Sequence, residues 1–501
     1  MKLKMIAVAC ATLSAGVAFA AAPTLTCSTA TLAGLVNTCQ PDVVFYMGGA
    51  SAQSPALNAV LAAGGNGIFD TSAVRGKITL NSTVNGNGNT VGYIGKGAVG
   101  TAYAGKNVLV IYNKLNGSAA GVGQLLATIK TATEATTLQT VTAAMVKSNT
   151  AGTCTVVEPA SAGALGSATC TTEANFASGW GKDAQKVMHL ALSDVKPSEL
   201  APGGLVNGTK AIAWAPAKFP ATVTGVQGFG VIVNPALYTA LIAQQVANGS
   251  LPAACASSET VGGATDVVSL ACQPNLTKAA YAGLVTGSIT TADALLGTSG
   301  DTHALSLARR GASSGTQAAS NIFFANQAAY VAKTPTTDGF LDPVVAGTYG
   351  TMVVTEQTGT GGVITAVSGN TTGYALGVVS LENAYSMTKA SSALKGALFV
   401  KIDGISPNLV LDASGNTVVD AKQRAGLQTG YPFAFQMQAI KSADLAAKAA
   451  NQADIATKIV AGLTDPAQNL TGIAYIGSSD AAKNTAFTRS GGNNYLPLIK
   501  N

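Results

Sequence analysis

A short apolar run that ends in glycine or serine and passes into a helix-compatible segment recurs along this chain. Residues 42–47 (DVVFYM) lead through Gly48-Gly49-Ala50-Ser51 into a helical run at 55–63. Residues 107–112 (NVLVIY) lead through Gly117-Ser118-Ala119-Ala120-Gly121 into 122–130. Residues 187–192 end at Ser193-Asp194, with Pro197 and Glu199 opening the next helix. The run 304–310 ends in Arg309-Arg310 and meets a Gly/Ser loop before the helical run 317–324. Further strands are predicted at 228–234, 373–380 and 431–440. Helix is predicted over most of 275–296, with a turn at 287–291, and as one amphipathic stretch at 442–463. Alternating strands and helices predict α/β architecture with largely parallel sheets. Two stretches, near 58–106 and 131–182, read as insertions, the first with a hairpin at Asn85-Gly86.

Length and composition narrow the picture. Met-Lys-Leu-Lys followed by an apolar stretch to Phe19 and then Ala20-Ala21 reads as a secretory signal peptide over residues 1–20. Cys10 lies too early in that stretch for a lipoprotein site. About 480 residues then remain, more than one core usually serves, so two lobes are expected. Only 10% of residues are charged and the net charge is +6, falling to +4 without Lys2 and Lys4, too weak and dispersed for nucleic-acid binding. Six cysteines follow the signal in three sequence-local couples, so an oxidising compartment predicts Cys27 with Cys39, Cys154 with Cys170 and Cys255 with Cys272. With His189 and His303 the only histidines and no C-x-x-C, no metal site is expected, and no cofactor.

The chemistry-bearing stretch is 304–316. Ser313, Ser314, Gly315 and Thr316 precede a helix, where unpaired N–H groups and hydroxyls suit an anion, and Arg310 adds a planar charged fork. The same residues also make an ordinary strand, turn and N-cap. Gly311-Ala312-Ser313-Ser314-Gly315 matches the G-x-S-x-G elbow of hydrolases, but both histidines precede the serine, the wrong chain order. Residues 100–107 approach a P-loop, lack the hydroxyl residue after Lys106 and lead into a strand. His189 reads as a core residue, His303 as an exposed one, and a lone Asp194 as a helix cap.

Taken in order, these motifs resemble the periplasmic phosphate-binding proteins of ABC phosphate transporters, within the type 2 periplasmic-binding-protein-like superfamily. Residues 47–57 look like the family's first loop, which puts ligand contacts on Ser51 and the Ala52 N–H. Residues 117–121 look like its Gly-Ser turn, carrying over to Ser118. Residues 192–197 are similar to its Ser-Asp-Ala-Pro segment, whose aspartate accepts a proton from bound phosphate; here that is Asp194. Residues 309–316 look like its Arg-Arg-x-Asp-Gly-Ser-Gly-Thr, assigning Arg310, Ser314, Gly315 and Thr316. Ala312 stands where the family has an acid, and Ser313 replaces a glycine.

The resemblance implies a two-lobed binding protein. Residues 21–230 and 431–501 would form lobe one and 235–430 lobe two, crossing near 228–234 and 431–440. It would be a monomeric non-enzyme that takes inorganic phosphate or a similar oxyanion in the cleft by lobe closure, for an ABC permease. The contrasting class is a secreted surface or matrix protein whose Thr/Asn-rich insertions serve adhesion.

Overall fold

The computed structural model describes residues 28–39, 41–80, 89–114, 117–126, 154–170, 188–200, 214, 216–258, 269–311, 313–326, 344–382, 394–407, 409–411, 414, 417–419, 427, 430–470, 472–476, 478, 487–489 and 498–500. The signal-peptide expectation, Cys27, the turn at Asn85-Gly86 and Ala312 lie outside them.

Strands run in chain order as β1 (Val43–Gly49), β2 (Arg75–Leu80), β3 (Thr90–Lys96), β4 (Asn107–Asn113), β5 (Thr155–Val157), β6 (Leu165–Cys170), β7 (Leu190–Ser193) and β8 (Ala221–Val233). They continue as β9 (Asn275–Leu276), β10 (Leu305–Arg310), β11 (Gly347–Tyr349), β12 (Met352–Gln357), β13 (Tyr374–Ser380), β14 (Leu398–Phe399), β15 (Lys401–Ile402), β16 (Leu409–Leu411), β17 (Thr417–Val419) and β18 (Ala434–Lys441). One mixed sheet follows the order β11-β12-β10-β13-β8-β18-β7-β1-β4-β3-β2-β6-β5.

Two parallel triplets lie within it, β7-β1-β4 and β13-β10-β12, as βαβ crossovers require. Between them stand β8 and β18, the two predicted crossing segments, paired antiparallel to each other. β8 serves both sides: residues 221–228 face β18, while 229–233 pair with β13. Both segments are strands of the sheet. Antiparallel pairs also extend the first half outward through β3 and β2, so the stretch 58–106, read as an insertion with a hairpin, adds two strands to the sheet. β2 then pairs with β6 in parallel.

Period-two burial explains the layering. Val43, Phe45 and Met47 of β1 join Val108, Val110 and Tyr112 of β4 in one core with the helices Ser54–Ala62 and Ala450–Thr464. Leu109 and Ile111 point the other way, into a core with Leu32, Leu35 and the Cys154–Cys170 disulfide. Covered on both faces, such strands read as unbroken apolar runs. The largest core spans the second half with β8 and β18, where Phe229, Phe323, Phe324, Phe433 and Phe435 are stacked, tilted or edge-on at centroid distances of 4.7–6.2 Å.

One predicted helix differs from the structure, and a second differs only at its start, its turn at 287–291 being as expected. The 442–463 stretch is split into Leu445–Lys448 and Ala450–Thr464 by Ala449, whose φ of −153° is not helical. The 275–296 stretch starts with β9 and then forms Lys278–Val285 and Ala292–Leu296, each capped by a threonine. Pro197–Glu199 forms a single 3-10 turn. A second disulfide joins Cys255 to Cys272; Cys39 is also disulfide-bonded.

Candidate functional site

Each strand-turn-helix unit delivers its residues to the same place. After β4 the chain turns at Gly117, whose φ of +69° only glycine adopts freely, and the helix Gly117–Leu126 begins with Ser118 fully buried. β7 ends at Ser193 and hands Asp194 to the same spot. From the other half, Arg310 closes β10, and Ser314 caps the helix Gly315–Ala325, its Oγ accepting from the Gln317 N–H at 3.3 Å. Gln317 reaches back, its Oε1 accepting from the Arg310 N–H at 2.9 Å.

These pieces touch directly. The Ala119 N–H donates to the Ser313 carbonyl at 2.9 Å, tying the two helix starts together. The Asp194 N–H donates to Ser118 Oγ at 3.2 Å, and Thr316 Oγ1 donates to Asp194 Oδ2 over a long 3.4 Å. A β-carbon at Gly315 would lie 2.1 Å from Ser118 Oγ and 2.8 Å from Asp194 Oδ2, so glycine alone lets the halves approach this closely. Ser118, Asp194, Thr316 and Arg310 are all at most 3% exposed. The first-turn N–H groups of Gly315 and Thr316 have no acceptor within their own helix. Asp194 Oδ1 and Arg310 Nε, both buried, have no hydrogen-bond partner among the described residues.

Burial dominates the electrostatics. It pushes the Asp194 carboxyl up to about 7, against the charge of Arg310 and hydrogen bonds from Thr316 and Ser118. Burial also lowers Arg310, while Asp194 and Glu382 pull it back up. The Arg310 fork does not lie on Asp194: Nη1 donates to Thr360 Oγ1 at 3.2 Å and Nη2 to the Thr358 carbonyl at 3.1 Å. Its charge acts at Asp194 through space. A small gap beside Arg310, Thr316 and Gln317 measures about 10 Å³, room for one water at most.

The structure thus brings Ser118, Asp194, Gly315 and Thr316 into contact, with Ser314 and Arg310 adjoining. Ser51 is half-buried at the head of the 3-10 turn Ser51–Gln53. That turn connects through its neighbours: Gln53 Nε2 donates to the Ser193 carbonyl at 2.7 Å, and Gln227 Nε2 to the Ala52 carbonyl at 3.4 Å. At Ala52 it is the carbonyl, not the N–H, that makes this contact. Arg309 is buried as well, donating from Nε to the Arg310 carbonyl at 3.1 Å and from Nη1 to the Val344 carbonyl. Both histidines are engaged away from Ser313. His189 accepts from the Tyr46 N–H at 2.9 Å and stacks on Phe45, with burial depressing it to about 3; His303 pairs with Asp301 at 2.7 Å and stacks on Tyr374.

Sequence reasoning missed Glu382, Gln227 and Gln53. The only signal for Glu382 was an acid two residues after the apolar strand 374–380 in a chain poor in charge.

No protein-family model matches the chain, and neither does any curated protein. Solved structures do match. One is described as a phosphate ABC transporter substrate-binding protein with bound phosphate from Clostridium perfringens: 11% identity over 85% of this chain and 94% of that one, TM-score 0.39. Another is an ABC-type phosphate transport receptor from Vibrio cholerae, at 14% identity over 56% and 75%, TM-score 0.29. A third is a high-affinity periplasmic phosphate-binding protein, PfluDING, bound with phosphate, at 15% identity over 82% and 84%, TM-score 0.34. At these values the likeness carries no inference about ligand or role, which rest on the geometry above.

Proposed function

We propose that this chain is an exported solute-binding protein that holds a protonated oxyanion, inorganic phosphate above all, where Ser118 and Asp194 meet Gly315 and Thr316. The observation that carries this reading is Asp194: a buried carboxyl with one unpartnered oxygen, set among helix-start N–H groups and hydroxyls, beside a buried guanidinium. Donors alone would accept any small anion. A carboxylate among them selects an anion that brings a proton, because the ligand's O–H then donates to Asp194 and two bare negative charges are avoided.

Ser118 and Gly315 are in contact, so an anion enters only after the two halves part. The halves 21–230 with 431–501 and 235–430 act as lobes, and β8 with β18 as the hinge. Ligand favours a closed state just wide enough to admit it, because Ser118 and Asp194 on one side and Gly315 and Thr316 on the other contact it together only there. The arrangement binds without breaking a bond, which suits delivery to an ABC permease by a monomer. Among the described residues no helix is long and apolar enough to cross a membrane, and two disulfides are formed; both are compatible with an exported chain. Calorimetric titration of ligand-stripped protein with phosphate tests the proposal. Saturable binding with one site per chain is expected; no heat at any pH between about 5 and 9 overturns it.

A further inference from the structure

Both terminal nitrogens of Arg310 rest on one turn. β10 and β12 run parallel in a register that sets Arg310 beside Gln357, so the chain leaving β12 passes alongside the end of β10. That chain is Thr358-Gly359-Thr360-Gly361-Gly362, and it opens the helix Thr360–Ser368. Arg310 Nη1 donates to Thr360 Oγ1 at 3.2 Å and Nη2 to the Thr358 carbonyl at 3.1 Å. Two contacts from one turn fix the plane of a guanidinium, where a single contact would leave it free to rotate. The main chain of Arg310 is tied elsewhere, through Gln317, to the helix Gly315–Ala325.

The turn's own needs do not account for Thr360. The helix Thr360–Ser368 takes Gly359 as its N-cap with no side-chain hydrogen bond, and Thr360 follows at the first helical position. There threonine favours a helix less than alanine does. Its Oγ1 accepts from Arg310 and caps nothing. The contact also sets a cation against the positive end of a helix, whose first N–H groups lack acceptors within it. Both groups that hold the fork are neutral, and no carboxylate among the described residues takes a hydrogen bond from it. A guanidinium only 3% exposed is unfavourable at such a place until an anion joins it.

We propose, building on the oxyanion reading, that Thr360 is a positioning residue of the same site: its hydroxyl sets the Arg310 guanidinium for the anion. Thr358, Thr360 and Arg310 all belong to the 235–430 half. The fork is therefore oriented before the other half closes, and ordering so long a side chain is not charged against binding. Without the hydroxyl, Nη1 is released and only the Thr358 carbonyl holds the fork. The charge then stays near the anion, but its donors no longer converge on it.

Calorimetric titration of ligand-stripped parent, Thr360→Val and Thr360→Ser with phosphate tests this, with a thermal melt of each. Valine keeps the branched shape without the hydroxyl and should bind about tenfold more weakly, while serine should stay within about threefold of the parent. Thr360→Val with the parent's affinity, or valine and serine variants equally weakened, overturns the proposal. A second background separates positioning from mere support of the fold. Arg310→Lys keeps a charge but presents a freely rotating ammonium that needs no fixed plane, so adding Thr360→Val there should cost less than about threefold. The full tenfold loss in that background overturns the proposal. If Thr360→Val melts well below the parent, Thr360→Ala takes its place, since alanine supports the helix. It should show the same tenfold loss, and parental affinity in it overturns the proposal. A parent that binds no phosphate at all is a different result, and removes the oxyanion reading itself.

Discussion

Gly315 and Ser118, almost two hundred residues apart in the chain, lie so close that a β-carbon on the glycine would sit 2.1 Å from the serine Oγ. Ser118 is held from behind by the Asp194 N–H, so it cannot yield without moving that residue too. Gly315→Ala should therefore keep its helix but hinder closure. Overpacking of this kind costs about 1–3 kcal/mol, and calorimetry should show phosphate affinity reduced roughly tenfold or more with little change in Tm. Parental affinity in the alanine variant would refute contact at this junction in the bound state.

The two adjacent arginines should separate cleanly. Arg309 donates to two main-chain carbonyls within its own half, so Arg309→Ala removes fold-supporting hydrogen bonds and should destabilise by about 1–3 kcal/mol. Arg310 has Nε unspent and its charge is felt at Asp194. Arg310→Ala should lose most anion affinity, about 2–5 kcal/mol. Thermal melts and titrations of both variants check this, and equal affinity losses would contradict the assignment.

Stability without ligand should fall as the pH rises. Asp194 has a folded value of about 7 against 3.8 and Glu382 about 8 against 4.5, so between those limits the native state holds more protons than the unfolded one. Their contribution is complete below the unfolded values and is lost as pH climbs through the folded ones. Denaturant midpoints of ligand-free protein should decline from about pH 5 to pH 8, and Asp194→Asn should flatten part of that slope. A midpoint that rises over this range would show that these carboxyls are ionised and stabilised.

Asp194 also predicts a choice between anions. Phosphate near neutral pH can donate a proton to it, whereas sulfate cannot and would set bare charges together. The lost hydrogen bond should cost sulfate at least about 1–3 kcal/mol. Asp194→Asn, able to donate as well as accept, should narrow the gap. Competitive titration of both proteins measures it, and a parent that holds the two anions equally is incompatible with this role for Asp194.

Non-reducing peptide mapping of exported protein should find Cys154 joined to Cys170, Cys255 to Cys272 and Cys27 to Cys39, with no free thiol. Each closes a short loop and should stabilise by roughly 3 kcal/mol on the chain-entropy account. Reduction should lower Tm accordingly.

The sequence by itself determined the local units. β1, β4, β7, β10 and β13 were legible because strands buried on both faces must be unbroken apolar runs, and glycine, serine and proline mark where such runs stop and helices start. The helix Gly315–Ala325 and its cap were legible for the same reason, as were the two disulfides, whose cysteines lie close in sequence. Pairing across the sheet was not. That 58–106 extends the sheet, and that β8 pairs with β18 at its centre, depends on partners far along the chain, about which local pattern is silent. Ala449 breaks a helix that amphipathic spacing runs straight through, because the break is local backbone geometry that the spacing of apolar positions does not encode. At the site, residue types at strand ends marked Ser118, Asp194 and Arg310 as chemistry-bearing. Only the tertiary structure decided that Asp194 is buried against Thr316 and Gly315, that the Arg310 fork turns to Thr358 and Thr360, and that Glu382 meets Ser380 and Gln227. The protonation of a carboxyl is set by which charges and how much solvent surround it, and those neighbours come from elements up to about two hundred residues away.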